Sequence, residues 1–395
     1  MTAQCEVVVV GGGLTGLLAA LKLDHAGKQV TLVAPEQVST DGRTTAMLMP
    51  TIDVLEELGL WEGIEEISAP LRTMRLIDGS KRLIRAPMAD FQASEASLDA
   101  FGFNVPNADM VTLMEEHVAK AKNIQRIDAK ATAASCQNKG TEITLDNGDV
   151  LHAEIAIAAD GRHSTLRDAA GIKPKTWQYP QTAVVLTFAH SLPHNGISAE
   201  FHTETGPFTQ VPLPLQGRKM PKGMKYRSSL VWVVKPKYAP ELVDKPLDKL
   251  STMVEEGLQS SFGKVAVEDQ PQAYPLSGMS TDKHAAHNIF LVGEAGHVFP
   301  PIGAQGFNLS VRDVVDLTEV LAKNCGNASD AYNRKRKADI RLRTQGVDVL
   351  NRSLLTGFLP VQMARTAGIS LINAVAPLRK FLMQQGLGAG SRGWL

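Results

Sequence analysis

Residues 6–33 read EVVVVGGGLTGLLAALKLDHAGKQVTLV. Glu6–Val10 is a short, β-branched run that predicts a buried strand. A glycine-rich turn follows, then a run that predicts a helix to about His25, closed by Ala26-Gly27-Lys28. Gln29–Val33 predicts a second strand. Gly11, Gly13 and Gly16 therefore form a GxGxxG inside one β-α-β unit, where a dinucleotide fingerprint requires it. The first glycine makes the turn, the second lets backbone approach a pyrophosphate, and the third lets helix pack on strand.

A second stretch, residues 293–308, reads GEAGHVFPPIGAQGFN. It lies between an apolar run, 288–292, and a helical run that starts near Leu309. Strand, glycine/proline loop and helix start in that order suit a ligand laid against a helix N-terminus, where N–H groups and the dipole favour negative charge. An ordinary strand-to-helix connection is the alternative for this stretch alone.

Between these ends the pattern changes. Residues 72–85 alternate around Asp78-Gly79 and predict an antiparallel hairpin, as do Glu142–Leu145 and Val150–Ile157 around Asp146-Asn147-Gly148. Residues 107–121 predict a helix. From 181 to 276 the chain reads as strands and proline loops, with one helix near 246–260. The tail, 342–387, predicts helices broken at Gly357, Pro360 and Pro377. The expected fold is α/β: a Rossmann-like nucleotide domain (1–70, 100–175 and 280–345), an inserted antiparallel sheet domain (71–99 and 176–279), and a helical C-terminal region (346–395). Such an insertion leaves a cleft between domains.

Composition excludes several classes. With 41 Lys+Arg against 41 Asp+Glu, the chain lacks the cationic excess of a nucleic-acid-binding surface. Its three cysteines, Cys5, Cys136 and Cys325, are far apart and unpaired in sequence, which fits a reducing compartment and no disulfide framework. None of the ten histidines falls in an HxH or HExxH, so no metal site is expected. The N-terminus has no basic segment or cleavage signature, and no run of about 18 apolar residues occurs, so no membrane span is expected.

A further motif, Ala158-Ala159-Asp160-Gly161-Arg162-His163-Ser164-Thr165-Leu166-Arg167, lies between the other two and so is the second of three in chain order, with 293–308 the third. GxGxxG, ADGxxSxxR and G-acid-AxH-xxPPxGxQGxN, in that order, resemble the class A flavoprotein monooxygenases along essentially the whole chain. Asp41-Gly42-Arg43-Thr44-Thr45-Ala46-Met47 with Glu57-Leu58-Gly59-Leu60-Trp61, Gly206-Pro207-Phe208, Pro212-Leu213-Pro214 and Ser229-Leu230-Val231-Trp232 are similar to the ubiquinone-biosynthesis hydroxylases among them.

The resemblance implies FAD as cofactor and NAD(P)H as electron donor. It implies dioxygen activation as a flavin C4a-hydroperoxide and hydroxylation of the aromatic ring of a lipid-soluble polyprenyl phenol or benzoquinol. It places Gly11, Gly13 and Gly16 at the pyrophosphate, Glu294 at the ribityl chain, and Asp160 and Gly161 beside the cofactor. Gly303 and the turn Gly306-Phe307-Asn308 would lie at the flavin, with backbone N–H groups on its pyrimidine edge, and Arg43 nearby. For Asp160 the alternative is a helix or turn cap, and for Arg43 a surface charge. Two departures stand out: Glu294 occupies a position usually held by Asp, and Ala34 replaces the acid that normally ends the second strand. Glu36, past Pro35, is the substitute candidate for that acid, or else a solvated loop carboxylate. No catalytic acid or base is assigned; His297 is a weak candidate whose default is packing or hydrogen bonding within the loop.

For the apolar C-terminal region, with Arg365, Arg379 and Lys380 interspersed, the expectation is a helical cover on the core. The alternative is a peripheral membrane contact, or a partner surface in a ubiquinone-biosynthesis complex, of an otherwise cytoplasmic protein. Two further functional readings stay open: hydroxylation of another small aromatic compound, and a non-catalytic flavin-binding scaffold. Halogenation is not expected, since WxWxIP is absent.

Overall fold

The computed structural model describes residues 2–36, 42–79, 87–138, 140–203, 205–215, 217, 219–300, 305–323 and 327–355. Two large sheets and one small sheet organise them. In the first, of eight strands, Ile289–Leu291, Val150–Ala158, Thr2–Val10, Val30–Val33 and Ile124–Ile127 run parallel in that spatial order. Two antiparallel strands, Ala131–Gln137 and Gly140–Leu145, extend it from Val150–Ala158.

The run Val7-Val8-Val9-Val10 is 0–4% exposed because both faces of its sheet are covered. Strand alternation sends Val7 and Val9 against the helices Leu14–His25 and Gln305–Ala322, and Val8 and Val10 against the Ala131–Leu145 hairpin and Leu166. At roughly 1.5–3 kcal/mol per buried side chain, this packing fixes the strand end from which the glycine turn departs.

The second sheet has nine strands, and Pro174–His190, Gly206–Leu213, Tyr226–Val234 and Gln272–Thr281 form its antiparallel centre. One face carries Val184, Phe188, Phe208 and Leu230 against the helices Ala239–Val243 and Leu247–Gly257. The first arm of the hairpin expected at 72–85 is a strand, Thr73–Asp78. Thr73–Asp78 pairs antiparallel with Ala89–Gln92, and parallel with Ile197–Thr203, so the sheet is not purely antiparallel. Residues 80–86 lie outside the described residues. Local alternation marks a strand but not its partner.

The small sheet, Thr44–Leu48, Ala69–Leu71 and Gly102–Pro106, was not foreseen. It carries the connection between the two large sheets. Among the described residues no helix is long and apolar enough to cross a membrane, and no cluster of metal-ligating side chains occurs.

Candidate functional site

The glycine turn explains itself residue by residue. Gly11 has φ +120, and a Cβ there would meet the Ala159 carbonyl oxygen at 2.2 Å. A Cβ on Gly16 would meet the Gly11 carbonyl oxygen at 1.9 Å. Both glycines are required by the protein's own packing. Gly13 is different: its φ is −73 and its missing Cβ would have nothing within 4 Å. It caps the helix Leu14–His25, which has no side-chain cap and no acid in its first turn. The end of this helix therefore presents backbone donors to open space.

Beside the turn, the second strand ends at Val33. Ala34 is buried and donates its N–H to the Ile127 carbonyl, while Pro35 and Glu36 are exposed. Arg126 sits next to them: its Nη2 is 3.4 Å from the carbonyl oxygens of Ala34 and Pro35, and its Nη1 holds both carboxylate oxygens of Glu115. No local sequence pattern marks Glu115 or Arg126.

At the end of Val150–Ala158, Asp160 Oδ2 accepts the N–H groups of Thr165 (2.8 Å) and Leu166 (3.3 Å), capping the helix Thr165–Ala169. Its Oδ1 is buried and has no hydrogen-bond partner among the described residues. Burial pushes this carboxyl above the usual range, against the Ser164 hydroxyl and the backbone N–H groups that pull it down. Gly161 follows with φ +79 and open space around it.

Arg167 is buried, and its Nη1 donates to the carbonyls of Arg162 (2.9 Å) and Ala295 (3.2 Å). That clamps the second motif to the third. Arg162 reaches outward, from Nε to Glu294 Oε2 (3.0 Å) and from Nη1 to Ser277 Oγ on the nine-stranded sheet (3.0 Å). The Arg162 and Glu294 side chains are 40% and 50% exposed. Such a pair contributes roughly 0–1 kcal/mol, so Glu294 can exchange it for a ligand at little cost.

The helix expected near Leu309 begins earlier, at Gln305. Gly306, Phe307 and Asn308 are its first turn, not a preceding loop. The apolar periodicity starts after the helix does, which hides this boundary in the sequence. N–H groups of a first turn have no intrahelical acceptor. The Asn308 side chain locks that turn to the small sheet: Oδ1 accepts from Leu48 N (2.9 Å) and Thr51 Oγ1 (2.7 Å), and Nδ2 donates to the Ala46 carbonyl (2.8 Å). Gly303 lies outside the described residues, as do 356–395, where most of the expected C-terminal cover falls.

Arg43 is exposed, and its guanidinium lies 5.1 Å over the Tyr274 ring. The Tyr274 hydroxyl donates to Gln272 Oε1, which also accepts the Gly42 N–H (3.1 Å). Thr44 Oγ1 meets Ser229 Oγ at 3.2 Å. Gly42–Thr44 thus crosses the nine-stranded sheet on the face opposite its helices. Val231, Thr187 and Val211 alternate onto that face with Ser229 and are half-buried.

His297 is buried, stacked on Phe299, with Nε2 2.6 Å from Asp313 Oδ2. The same oxygen accepts the Gly293 N–H (2.9 Å), and Asp313 Oδ1 accepts from Arg336 Nε (2.8 Å). Burial pushes the Asp313 carboxyl up, but His297, Arg336 and the Gly293 N–H outweigh it and hold the carboxyl below its ordinary value. Arg336, on the helix Ala328–Leu355, also pairs with Asp316 and Asp339. A buried ionic network therefore supports the third motif from beneath, and His297 belongs to that network.

Residues 4–345 match the FAD binding domain family. The chain belongs to that family. It is a flavoprotein monooxygenase with FAD as cofactor and NAD(P)H as the family's usual donor. Its relatives include the ubiquinone hydroxylase UbiL of Rhodospirillum rubrum, 29% identical over 97% of this chain and 89% of that protein. Another is the 3-demethoxyubiquinol 3-hydroxylase of Escherichia coli, 26% identical over 98% and 100%. In fold it is similar to p-nitrophenol 4-monooxygenase PnpA of Pseudomonas putida, with a TM-score of 0.78 at 19% identity over 98% of both chains.

The site fits FAD on structural grounds. The uncapped helix after Gly13 and the open volume beside it suit a pyrophosphate. The orphaned Asp160 Oδ1 and the weakly held Glu294 supply acceptors for ligand hydroxyls.

Proposed function

We propose that this chain hydroxylates the aromatic ring of a polyprenylated phenol or benzoquinol in ubiquinone biosynthesis. The observation that carries the reading is the sheet face of Val231, Thr187, Val211 and Ser229, crossed by Gly42–Thr44. Its half-buried Val231, Val211 and Thr187 offer an apolar wall with one small hydroxyl, while Ser229 beneath is held by Thr44, and it suits a neutral ring with an apolar tail. The names of the relatives support the same substrate class.

FAD, when bound and reduced by NAD(P)H, supplies the oxygen activation and the transfer of one oxygen atom to an electron-rich ring carbon. The chain's part is to bind, orient and exclude water. The first turn after Gly13 holds the pyrophosphate. Asp160, Gly161 and Glu294 hold the ribityl side, and Arg43 lies near the ring system. Gly303 and the N–H groups of Gly306, Phe307 and Asn308 stabilise negative charge at the pyrimidine edge. Residues 1–70, 100–175 and 280–345 act as the FAD-binding domain, 71–99 and 176–279 as the substrate domain. A peripheral membrane surface or a biosynthetic partner remains the proposed contact for the apolar C-terminal sequence, 346–395.

The test uses purified protein, FAD, NAD(P)H, labelled dioxygen and a short-chain prenylphenol. Label in a hydroxylated product, read by mass spectrometry, is the expected result. Flavin-loaded protein that hydroxylates only polar phenols would overturn the substrate assignment.

A further inference from the structure

FAD carries an adenosine ribose, and dinucleotide folds commonly bind that ribose through a carboxylate at the tip of the second strand. Ala34 has no such group. Glu36 is exposed, two residues beyond it and past Pro35. The fold brings a different carboxylate to the place. A Cβ built on Gly12 would meet Ala34 Cβ at 2.7 Å and would lie 3.9 Å from Glu115 Oε1. Glu115 projects from the helix Asn107–Lys120, which packs beside Leu14–His25. Its carboxylate therefore stands at the junction of the glycine turn and the second strand.

Its position is enforced. Arg126 Nη1 engages both Glu115 oxygens, Nε donates to Asp128 Oδ1 (2.7 Å), and Nη2 lies against the Ala34 and Pro35 carbonyls. Arg126 is on Ile124–Ile127, paired in register with Leu32. A guanidinium that grips the strand tip with one arm and the carboxylate with another fixes the distance between them. A carboxylate has about four lone-pair sites, so Glu115 keeps acceptor capacity beyond Arg126.

We propose that Glu115, braced by Arg126, binds the adenosine ribose hydroxyls of FAD in place of the missing second-strand acid. The inference rests on the reading of the glycine turn as the pyrophosphate site. Hydroxyl-to-carboxylate hydrogen bonds are charge-assisted. A site built around them discriminates against a ligand that lacks the hydroxyl.

The experiment titrates apoprotein with FAD and with FAD analogues lacking the adenosine 2′- or 3′-hydroxyl, following flavin fluorescence. Wild-type protein is expected to prefer FAD over at least one analogue by about tenfold or more. Glu115→Ala should lose about tenfold in FAD affinity and bring that ratio to near one. Glu36→Ala should leave both within about threefold. A general loss of structure would weaken FAD and analogues alike in solution and lower the apoprotein melting temperature, but it would not selectively erase the ratio. If Glu115→Ala fails to fold, Glu115→Gln keeps the size and tests the charge: a reduced ratio supports the proposal. Retention of the ratio in the folded Glu115 variant, or its loss in Glu36→Ala, would overturn it. Gly13→Val separates the two layers. FAD bound normally by that variant refutes the pyrophosphate reading, whereas failure of Glu115 alone refutes only the ribose assignment.

Discussion

Replacing Arg336 by Met isolates the contribution of the buried network beneath the third motif. The Arg336 side chain is 2% exposed and Asp313 1%. Asp316 retains Lys335 and Asp339 retains Arg312 when Arg336 is removed. Among the described residues Asp313 retains the His297 ring and the Gly293 N–H but no permanent cation. The variant thus leaves one buried carboxylate without its permanent cation, a change that costs about 3–5 kcal/mol. At about 2.1 cal/mol/K per residue, 395 residues give an unfolding entropy near 0.8 kcal/mol/K. A loss of ~4 kcal/mol then lowers the melting temperature by ~5 °C for one cooperative transition. Scanning calorimetry of the apoprotein measures it. The sharper readout is the double variant with Asp313→Asn, which removes the stranded charge and should regain at least about 1 kcal/mol over Arg336→Met alone. A melting shift below about 1 °C in the single variant, or a double variant less stable than the single, would refute the reasoning.

Two glycines of one motif should respond in opposite ways. Gly11→Ala places a Cβ 2.2 Å from the Ala159 oxygen at φ +120, so the apoprotein should melt several degrees lower. The Cβ of Gly13→Val meets nothing within 4 Å among the described residues, so the apoprotein should melt within a few degrees of wild type while FAD binding, read by fluorescence titration, is lost. His284 sets a pH dependence. It is 2% exposed, and its pKa is pushed down to about 4, first by burial and then by His297 and Arg336, although Asp313 opposes this. Its unfolded value is near 6.5, so the unfolded chain takes up the proton first as pH falls. The stability from this group is complete above about pH 6.5 and is lost between there and about 4, by about 3 kcal/mol. Melting curves of wild type and His284→Asn should converge in stability across that window as pH falls. Parallel curves would show that His284 is not the titrating group.

The parallel half of the fold is legible in the sequence because its signals are local. A β-branched run, three glycines at set spacing and a second β-branched run lie within about 30 residues, and each step fixes the next by short-range sterics. The order of the three motifs, the departures at Ala34 and Glu294, and the strands of the middle block are readable for the same reason. What the sequence leaves undetermined is which distant residues meet. Nothing near Arg126 announces Glu115 or Ala34 as neighbours. Asn308 binds Ala46, Leu48 and Thr51 from about 260 positions away. Arg162 joins the third motif to the nine-stranded sheet through Glu294 and Ser277, and His297 gains Asp313 from Gln305–Ala322, which Arg336 of Ala328–Leu355 holds in turn. These pairings follow from the packing of sheets and helices, whose register is set by burial across the whole chain. Short-range spacing alone gave the β-α-β unit with its glycine turn and the strand-to-helix passage that follows Leu291. The tertiary structure decided which carboxylates and cations stand around them, because chain crossings, not spacings, bring those side chains together.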